Sequence, residues 1–466
     1  MMSRMAHLDE RTLVVGLLVC FALLTTCFLS TNEAPRFALS LSLGIQGEWH
    51  IDSFFPEVLH PLFPPIDYVK KDGHIYSDKG PLLSVLAAPI VRILQMAGAD
   101  LRTTVYVTTL LLAGLPTALT ALLIFWFGRS VHRPGDIDPT LVALAYALCT
   151  NAFYYGTVFF PYSMASFLAV ASFWVVHAGD RYGDVRGGLA AGALAGLSGL
   201  ADFATLLLFP GLLLYCVLRR PRWTVPFLVS GGLMLSLLPL YAYAMLGDPF
   251  GLPYKYHATF ANTREQGVWY QWGIPDPQAP FGVTLSSERG LFFYSPVLIV
   301  AAVLWFRFRA LHPHEAYLVM AMFIVLMGFH ITHSNWRAGI SFGPRYMTAA
   351  MPFFVLPLLA VRRMGAVWPV FMMLLLISFL VNLVGAVSHY PGDKENPVAG
   401  LLAKWYSGRR LMMDAGEGEP YEIIVARPKV HLVLYHLGLD GNEALVRLPS
   451  LLVCAAGLVL LRRAMV

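Results

Sequence analysis

The stretch TTVYVTTLLLAGLPTALTALLIFWFG, Thr103 to Gly128, contains no acidic or basic residue. A bilayer core of about 30 Å takes about 20 mostly apolar residues in one helix, so this segment is long enough to cross a membrane. The rest of the chain follows the same plan. Of 466 residues, 57% are apolar and only 13% charged, against about 25% charged in a soluble globular protein. Mean hydropathy is +0.62. These numbers place the chain among integral membrane proteins and exclude a disordered, collagen-like or disulfide-stapled chain.

Working outward, the apolar segments fall at 12–30, 103–128, 138–156, 159–177, 187–201, 203–218, 223–246, 292–306, 315–332, 347–361, 366–387 and 447–461. The reading is an all-α polytopic membrane protein with about 12 transmembrane helices. Segment 81–97 is also apolar, but it holds Arg92 and two prolines, so we read it as a helix lying along the interface. The connections on one side carry Arg4 and Arg11, Arg129 and Arg133, Arg181 and Arg186, Arg219, Arg220 and Arg222, Arg307 and Arg309, Arg362 and Arg363, and Arg462 and Arg463. The short turns opposite, near Pro161 and Asp202, carry none. The positive-inside rule then puts both termini in the cytoplasm of a multi-pass cytoplasmic (inner) membrane protein. Counting 81–97 as a crossing would invert every later loop and break that pattern.

In this orientation the long polar segments 31–102, 247–291, 333–346 and 388–446 face the periplasm or cell exterior, and loops of such length are usually functional. Residues 1–387 form the transmembrane module. Residues 388–446 form a small outer capping segment with one β-prone run, Tyr421 to Val425, and 447–466 supply the last crossing and a cytoplasmic tail. Span 12–30 lacks a small-x-small cleavage site and is read as an uncleaved helix. The five cysteines, Cys20, Cys27, Cys149, Cys216 and Cys454, all lie in apolar segments and suggest neither a disulfide nor a metal site. The 33 Lys and Arg are scattered, so nucleic acid is not an expected partner. No phosphate loop, dinucleotide fingerprint or His-Glu-x-x-His is present.

The first outer segment holds Asn32-Glu33-Ala-Pro-Arg36-Phe37, then Gly47-Glu48-Trp49-His50-Ile51-Asp52, then Gly73-His74-Ile75-Tyr76-Ser77-Asp78-Lys79-Gly80-Pro81-Leu82-Leu83. This order resembles the first outer loop of the C-type (GT-C) membrane glycosyltransferases, the class of protein O-mannosyltransferases and lipid A aminoarabinose transferases. In that class an Asp-Glu pair, a Gly-Asp-Trp-like element and a Gly-x-x-Tyr-x-Asp-Lys-Pro-Pro-Leu-like element follow the first helix. Glu288 to Pro296 and Phe342-Gly343-Pro344-Arg345-Tyr346 look like a bacterial branch of the same class. The resemblance implies a GT-C fold and transfer of a hexosyl or pentosyl group, with inversion, from a polyprenyl-phosphate donor to a glycan, lipid or protein acceptor.

The residues supply a matching chemical logic. A lipid-linked donor has its phosphate at the interface, where Lys79, Arg345, Arg289, Arg36 and Lys255 are the candidate cations. Arg suits bidentate phosphate contact, and Lys a point charge on the leaving oxygen. Transfer also needs a base for the acceptor hydroxyl. Asn32 stands where the family has its usual first acid, so that role passes to Glu33, Asp52 or Asp78, or is lost. Tyr76, Trp336, Tyr346 and His74 are candidates for sugar or acceptor contact. Each residue also has a plainer reading: Glu33 as a helix start, Asp52 as a turn residue, Asp78 as a partner of Lys79, Lys79 and Arg345 as interfacial anchors, and the aromatic residues as a membrane belt. His330 and His333 are read as an interfacial pair and Asp202 as a turn residue or a polar contact for ligand. With no Asp-x-Asp element, no divalent metal is expected. A flippase of lipid-linked intermediates and an inactive scaffold of the same fold remain alternatives.

Overall fold

The computed structural model describes residues 9–55, 67–181, 183–251, 253–256, 273, 275–333, 335–339, 341–363, 365–388, 410–413, 421–424, 431–439 and 443–465. They are mostly helical. The longer elements are α1 (Glu10–Leu24), α2 (Ala34–Leu41), the hairpin β1 (Tyr68–Lys71) and β2 (His74–Ser77), and α3 (Leu82–Met96). They continue with α4 (Leu101–Val131), α5 (Pro139–Cys149), α6 (Tyr162–His177), α7 (Val185–Ala201), α8 (Phe203–Arg219), α9 (Pro221–Leu246), α10 (Val297–Leu311), α11 (Pro313–Thr332), α12 (Arg345–Ala360), α13 (Trp368–Val387) and α14 (Leu445–Met465). Among the described residues, α4, α9, α11, α13 and α14 are long and apolar enough to cross a membrane. The chain is a membrane protein with its apolar surface turned outward, as on α9, where Val225, Val229, Leu233 and Leu240 are all exposed.

Expected spans 12–30 and 138–156 run past the helices that form, and 292–306 starts ahead of α10, across a break at Ser295. Helix α1 stops at Leu24, well short of residue 30, because Thr25 turns into extended backbone and the Thr26 N–H bonds across to the Thr157 carbonyl at 3.0 Å. The expected span 138–156 breaks after Cys149. There the Thr150 hydroxyl donates to Tyr146 O at 2.7 Å and accepts from Ala152 N at 3.2 Å, which diverts the backbone from its helical ladder. The breaks after Leu24 and Cys149 place short irregular segments at the end of the bundle that carries the site.

Without a hydrophobic drive between helices in lipid, small residues and polar links hold a bundle together. Helix α7 meets α9 along Gly188, Gly192 and Gly196. A Cβ on Gly192 would lie 2.1 Å from the Phe227 carbonyl oxygen, and one on Gly196 2.6 Å from that of Gly231. Across the α6 interfaces, the Thr117 and Ser163 hydroxyls bond at 3.0 Å, and Ser172 and Ser198 donate to Ala191 O and Ala165 O at 2.8 and 2.9 Å. Each such link contributes about 1 kcal/mol. The five cysteines are free thiols.

The basic connections gather at one end. Asp136 is paired with Arg307 at 3.7 Å and bridged to Arg362, while Arg363 donates to the Met465 carbonyl at 2.6 Å. The described parts of segment 31–102 lie at the other end, where Arg36 pairs with Asp202. There α3 packs on α2 through Leu83, Ser84, Ala87 and Val91, leaving Val85, Leu86, Ile93 and Met96 exposed. Of the segment expected to cap the site, the described part includes one antiparallel hairpin, Arg410–Met413 with Tyr421–Ile424. Its second strand covers most of the β-prone run.

Candidate functional site

The site is built on α2, the β1–β2 hairpin and the start of α3. Asp72 and Gly73 form the hairpin turn with φ of 51° and 85°, the left-handed pair that a two-residue type I′ turn demands and that Asp-Gly supplies. The register sets Tyr68 opposite Ser77 and Lys71 opposite His74. Asp67 and Asp78 are therefore the two feet of the hairpin, side by side. The foot at Asp78 runs through Lys79 and Gly80 into α3, so the hairpin holds a carboxylate, a carboxylate and an ammonium at the top of the bundle.

These charges form one connected array. The Lys79 ammonium donates to Asp78 Oδ2 at 2.8 Å and to Asp67 Oδ2 at 3.1 Å. Asp67 Oδ2 also accepts from the Asn32 amide at 2.9 Å. Asn32 Oδ1 in turn accepts from Arg36 Nη1 at 2.6 Å, and Arg36 Nη2 pairs with Asp202 at 2.8 Å. Lys79, Asp78 and Arg36 are buried, whereas the Asp67 and Asp202 side chains keep 16% and 14% of their surface; the two aspartates are the partly exposed carboxylates of the array. Burial alone would lower the Lys79 pKa, but Asp67 and Asp78 outweigh it and hold the value above normal, with Arg36 opposing. Lys79 is thus a fixed positive charge at neutral pH. Asp202, expected in a turn, N-caps the following helix through Ala204 N at 3.2 Å while holding Arg36.

Arg345 lies within electrostatic reach of Asp202. Its electrostatic neighbours are Tyr162, Tyr346, Tyr155 and Asp202. Its guanidinium lies 5.1 Å over the Tyr346 ring and donates to the Tyr346 hydroxyl at 3.4 Å, while its Nε is buried without a hydrogen-bond partner. Among the described residues, no carboxylate lies within ion-pair distance of Arg345, in contrast to Lys79 and Arg36. Tyr346 packs edge-on against Phe329 and touches the rings of His330 and His333.

Several candidates are occupied in holding the fold. Glu33 is 3% exposed, and its two oxygens accept from Ser30 N and Phe159 N, each at 2.8 Å. It clamps the start of α2 to the turn before α6. Arg289 spends its guanidinium on the carbonyls of Arg337, Ser341, Glu288 and Gly339, bracing the loop that leads to Arg345. Trp336 is buried, donates to Asp276 at 2.7 Å and has Arg337 stacked on its ring at 4.1 Å. Lys255 lies in the helical turn Pro253–Tyr256, and its side chain is outside the described residues.

Asp52 and His74 form a separate cluster beside the hairpin. Asp52 Oδ1 accepts from Ile75 N at 2.6 Å, and Oδ2 faces His74 Nδ1 at 2.6 Å and His50 Nδ1 at 3.2 Å. Burial would raise the Asp52 pKa, but the His74 bond, the Ile75 N–H and the charges on His50 and His74 hold it below the usual carboxylate value. Tyr76 lies one pleat along, its ring 6.4 Å from His74. A groove of about 510 Å³ lined by Asp52, Lys70, Lys71, Asp72, Gly73 and Ile75 opens next to this cluster. Sequence reasoning missed Asp67 and His50. The signal for Asp67 was its register: an Asp-Gly turn places the residue before Tyr68 opposite Asp78.

No family model matches the sequence, and no curated protein is similar to it in sequence. Solved structures are similar to it in shape. The crystal structure of ArnT from Cupriavidus metallidurans bound to undecaprenyl phosphate aligns over 98% of this chain and 76% of its own, at 12% identity and a TM-score of 0.52. The apo structure of the same protein aligns over 97% and 74%, at 16% identity and a TM-score of 0.48. At such identity the likeness carries the fold alone: the chain has the GT-C architecture of the lipid A aminoarabinose transferase.

Proposed function

We propose that this chain is a membrane glycosyltransferase that moves a hexosyl or pentosyl group from a polyprenyl-phosphate donor to an acceptor on the outer face of the cytoplasmic membrane. The observation that carries the reading is Arg345, a cation with no carboxylate within ion-pair distance among the described residues, beside the array Asp202–Arg36–Asn32–Asp67–Lys79. A cluster of neutralised cations is structural on its own. An additional guanidinium with no carboxylate in ion-pair contact at its edge supports an anion site, and the similarly folded ArnT of Cupriavidus metallidurans was crystallised bound to undecaprenyl phosphate.

In this reading Arg345 takes the donor phosphate bidentately and Lys79 steadies the charge at the leaving oxygen. The acceptor hydroxyl oxygen attacks the anomeric carbon from the face opposite the phosphate. The carbon–oxygen bond to phosphate breaks, its electron pair leaves with polyprenyl phosphate, and the hydroxyl proton passes to a carboxylate. We assign that carboxylate to Asp67 in place of Glu33, Asp52 or Asp78. Its Oδ2 sits 2.9 Å from the Asn32 amide, where the resembling family carries its first acid, and it is partly exposed. The step itself uses no divalent metal. Twelve crossings, both termini in the cytoplasm, a module spanning 1–387, a cap at 388–446 and a last crossing in 447–466 complete the proposal. The basic loops converging opposite the site support its orientation.

The test is reconstitution of the purified chain in vesicles with polyprenyl-phosphate sugars and a panel of acceptors, reading released polyprenyl phosphate by mass spectrometry. Asp67→Asn is expected to lower turnover about 10²–10⁴-fold, the usual worth of a positioned base, with donor binding retained. Turnover unchanged in Asp67→Asn would remove Asp67 from the role, and no release by the wild type with any donor and acceptor would favour transport over transfer.

A further inference from the structure

We infer that His50, Asp52 and His74 form a binding site for a divalent transition metal, zinc above all, that staples the segment around residue 50 to the β1–β2 hairpin. The ligand atoms of the three side chains lie within 4.8 Å of one another. Two imidazole nitrogens converge on one carboxylate oxygen, His74 Nδ1 at 2.6 Å and His50 Nδ1 at 3.2 Å from Asp52 Oδ2. Only the first makes a hydrogen bond. His50 Nδ1 is buried, aims at an oxygen already engaged, and makes no hydrogen bond. Such an orphaned ring nitrogen has a cost that a bound cation would relieve.

The surrounding bonds are those of a metal ligand set. Asp52 Oδ1 is tied to Ile75 N at 2.6 Å, leaving Oδ2 as a one-toothed donor. His50 Nε2 faces Glu48 Oε2 at 3.0 Å, the carboxylate on the far ring nitrogen that fixes the tautomer of ligating histidines. The two rings stack at 4.5 Å with 25° between their planes, so that both Nδ1 atoms face Asp52 Oδ2. A tetrahedral ion with bonds of about 2.0–2.1 Å keeps its ligands about 3.3 Å apart, close to the His50–Asp52 spacing. His74 is half exposed and reaches this spacing by rotating its ring.

The donor set of two imidazoles and one carboxylate selects zinc or a neighbouring first-row ion over magnesium or calcium, which prefer oxygen. Three protein ligands leave a fourth position beside the groove that Asp52 helps to line, open to water or an oxygen ligand. Residues 51 and 75 already pair, Ile51 N to Ile75 O at 2.8 Å. A metal there would lock the hairpin whose feet carry Asp67 and the Asp78–Lys79 pair. This inference is independent of the transferase reading, and its test does not require turnover.

The experiment is metal analysis of the full chain, purified in detergent with a tag free of histidine, dialysed against zinc and then against metal-free buffer. The expected result is about one zinc per chain in the wild type, falling to about a tenth or less in His50→Gln and His74→Gln, each with wild-type elution and tryptophan emission; iron, cobalt or nickel in place of zinc supports the same site. X-ray absorption on the loaded protein should show nitrogen and oxygen neighbours at about 2.0–2.1 Å with imidazole scattering. A wild type that retains no metal, or a His50→Gln, His74→Gln double variant that retains as much as the wild type, overturns the proposal.

Discussion

Replacing Glu33 by Gln separates a structural acid from a catalytic one. Both Glu33 oxygens accept a backbone N–H, from Ser30 and from Phe159, at 2.8 Å, in a position 3% exposed. Gln has the same shape but offers one carbonyl oxygen, and its NH₂ faces the second N–H donor to donor. The retained bond loses its charge assistance, about 1 kcal/mol. The other is lost and leaves a buried N–H unsatisfied, about 1–3 kcal/mol more. The sum is about 2–4 kcal/mol, a factor of about 30 to 10³ in the folding equilibrium. The assay is reversible unfolding of the purified chain in mixed micelles, titrated with denaturing detergent and followed by tryptophan emission, alongside turnover per folded molecule. The expected outcome is a large loss of stability with near-normal turnover in the fraction that remains folded. A Glu33→Gln protein as stable as the wild type but without turnover would refute the clamp and restore Glu33 as the base.

Further perturbations have calculable results. Asp202→Asn keeps a competent helix cap but leaves the buried Arg36 guanidinium without its counter-charge, and is expected to cost about 3–5 kcal/mol in the same unfolding assay. Gly192→Val places side-chain atoms where a single Cβ would already lie 2.1 Å from the Phe227 carbonyl. The α7–α9 pair must part, seen as faster proteolysis at the α8–α9 junction around Arg220. Lys79 has a raised pKa in the folded chain, so its contribution to stability is fully present below its ordinary value of 10.5 and is lost as pH rises through the higher folded-state value. The stability difference between wild type and Lys79→Met is therefore expected to be flat from about pH 6 to about pH 10 and to shrink only above that. Arg345→Lys keeps the charge but loses the planar fork; weaker donor binding measured by titration calorimetry, with turnover at saturating donor little changed, is the expected split.

Helix positions were legible because a crossing needs a long apolar run, and few other structures make one. Their ends were less so. The breaks at Thr25 and Thr150 come from hydroxyl and backbone bonds that hydropathy does not register. Lys79, Asp78 and Arg36 were legible because they flank elements with recognisable order. Asp67 was not, since its place beside Asn32 depends on strand register across a hairpin, and a lone Asp beyond a proline-rich stretch carries no local mark. Nor were the duties of Arg289 and Trp336: an arginine on four carbonyls and a tryptophan under a guanidinium look, in sequence, like an arginine and a tryptophan near a membrane surface. His50 was passed over because its partner, His74, lies across the loop.

Helix α3 joins two surroundings. Its outer face, Val85, Leu86, Ile93 and Met96, is exposed among the described residues, and its inner face holds the Arg36 carbonyl through the Ser84 hydroxyl at 2.8 Å. It is in effect a float moored to the charged array. A change in the depth of that float would act first on Arg36, the residue that pairs with Asp202. If the proposed transfer holds, turnover compared across bilayers of different thickness is expected to vary with acyl length even at saturating donor.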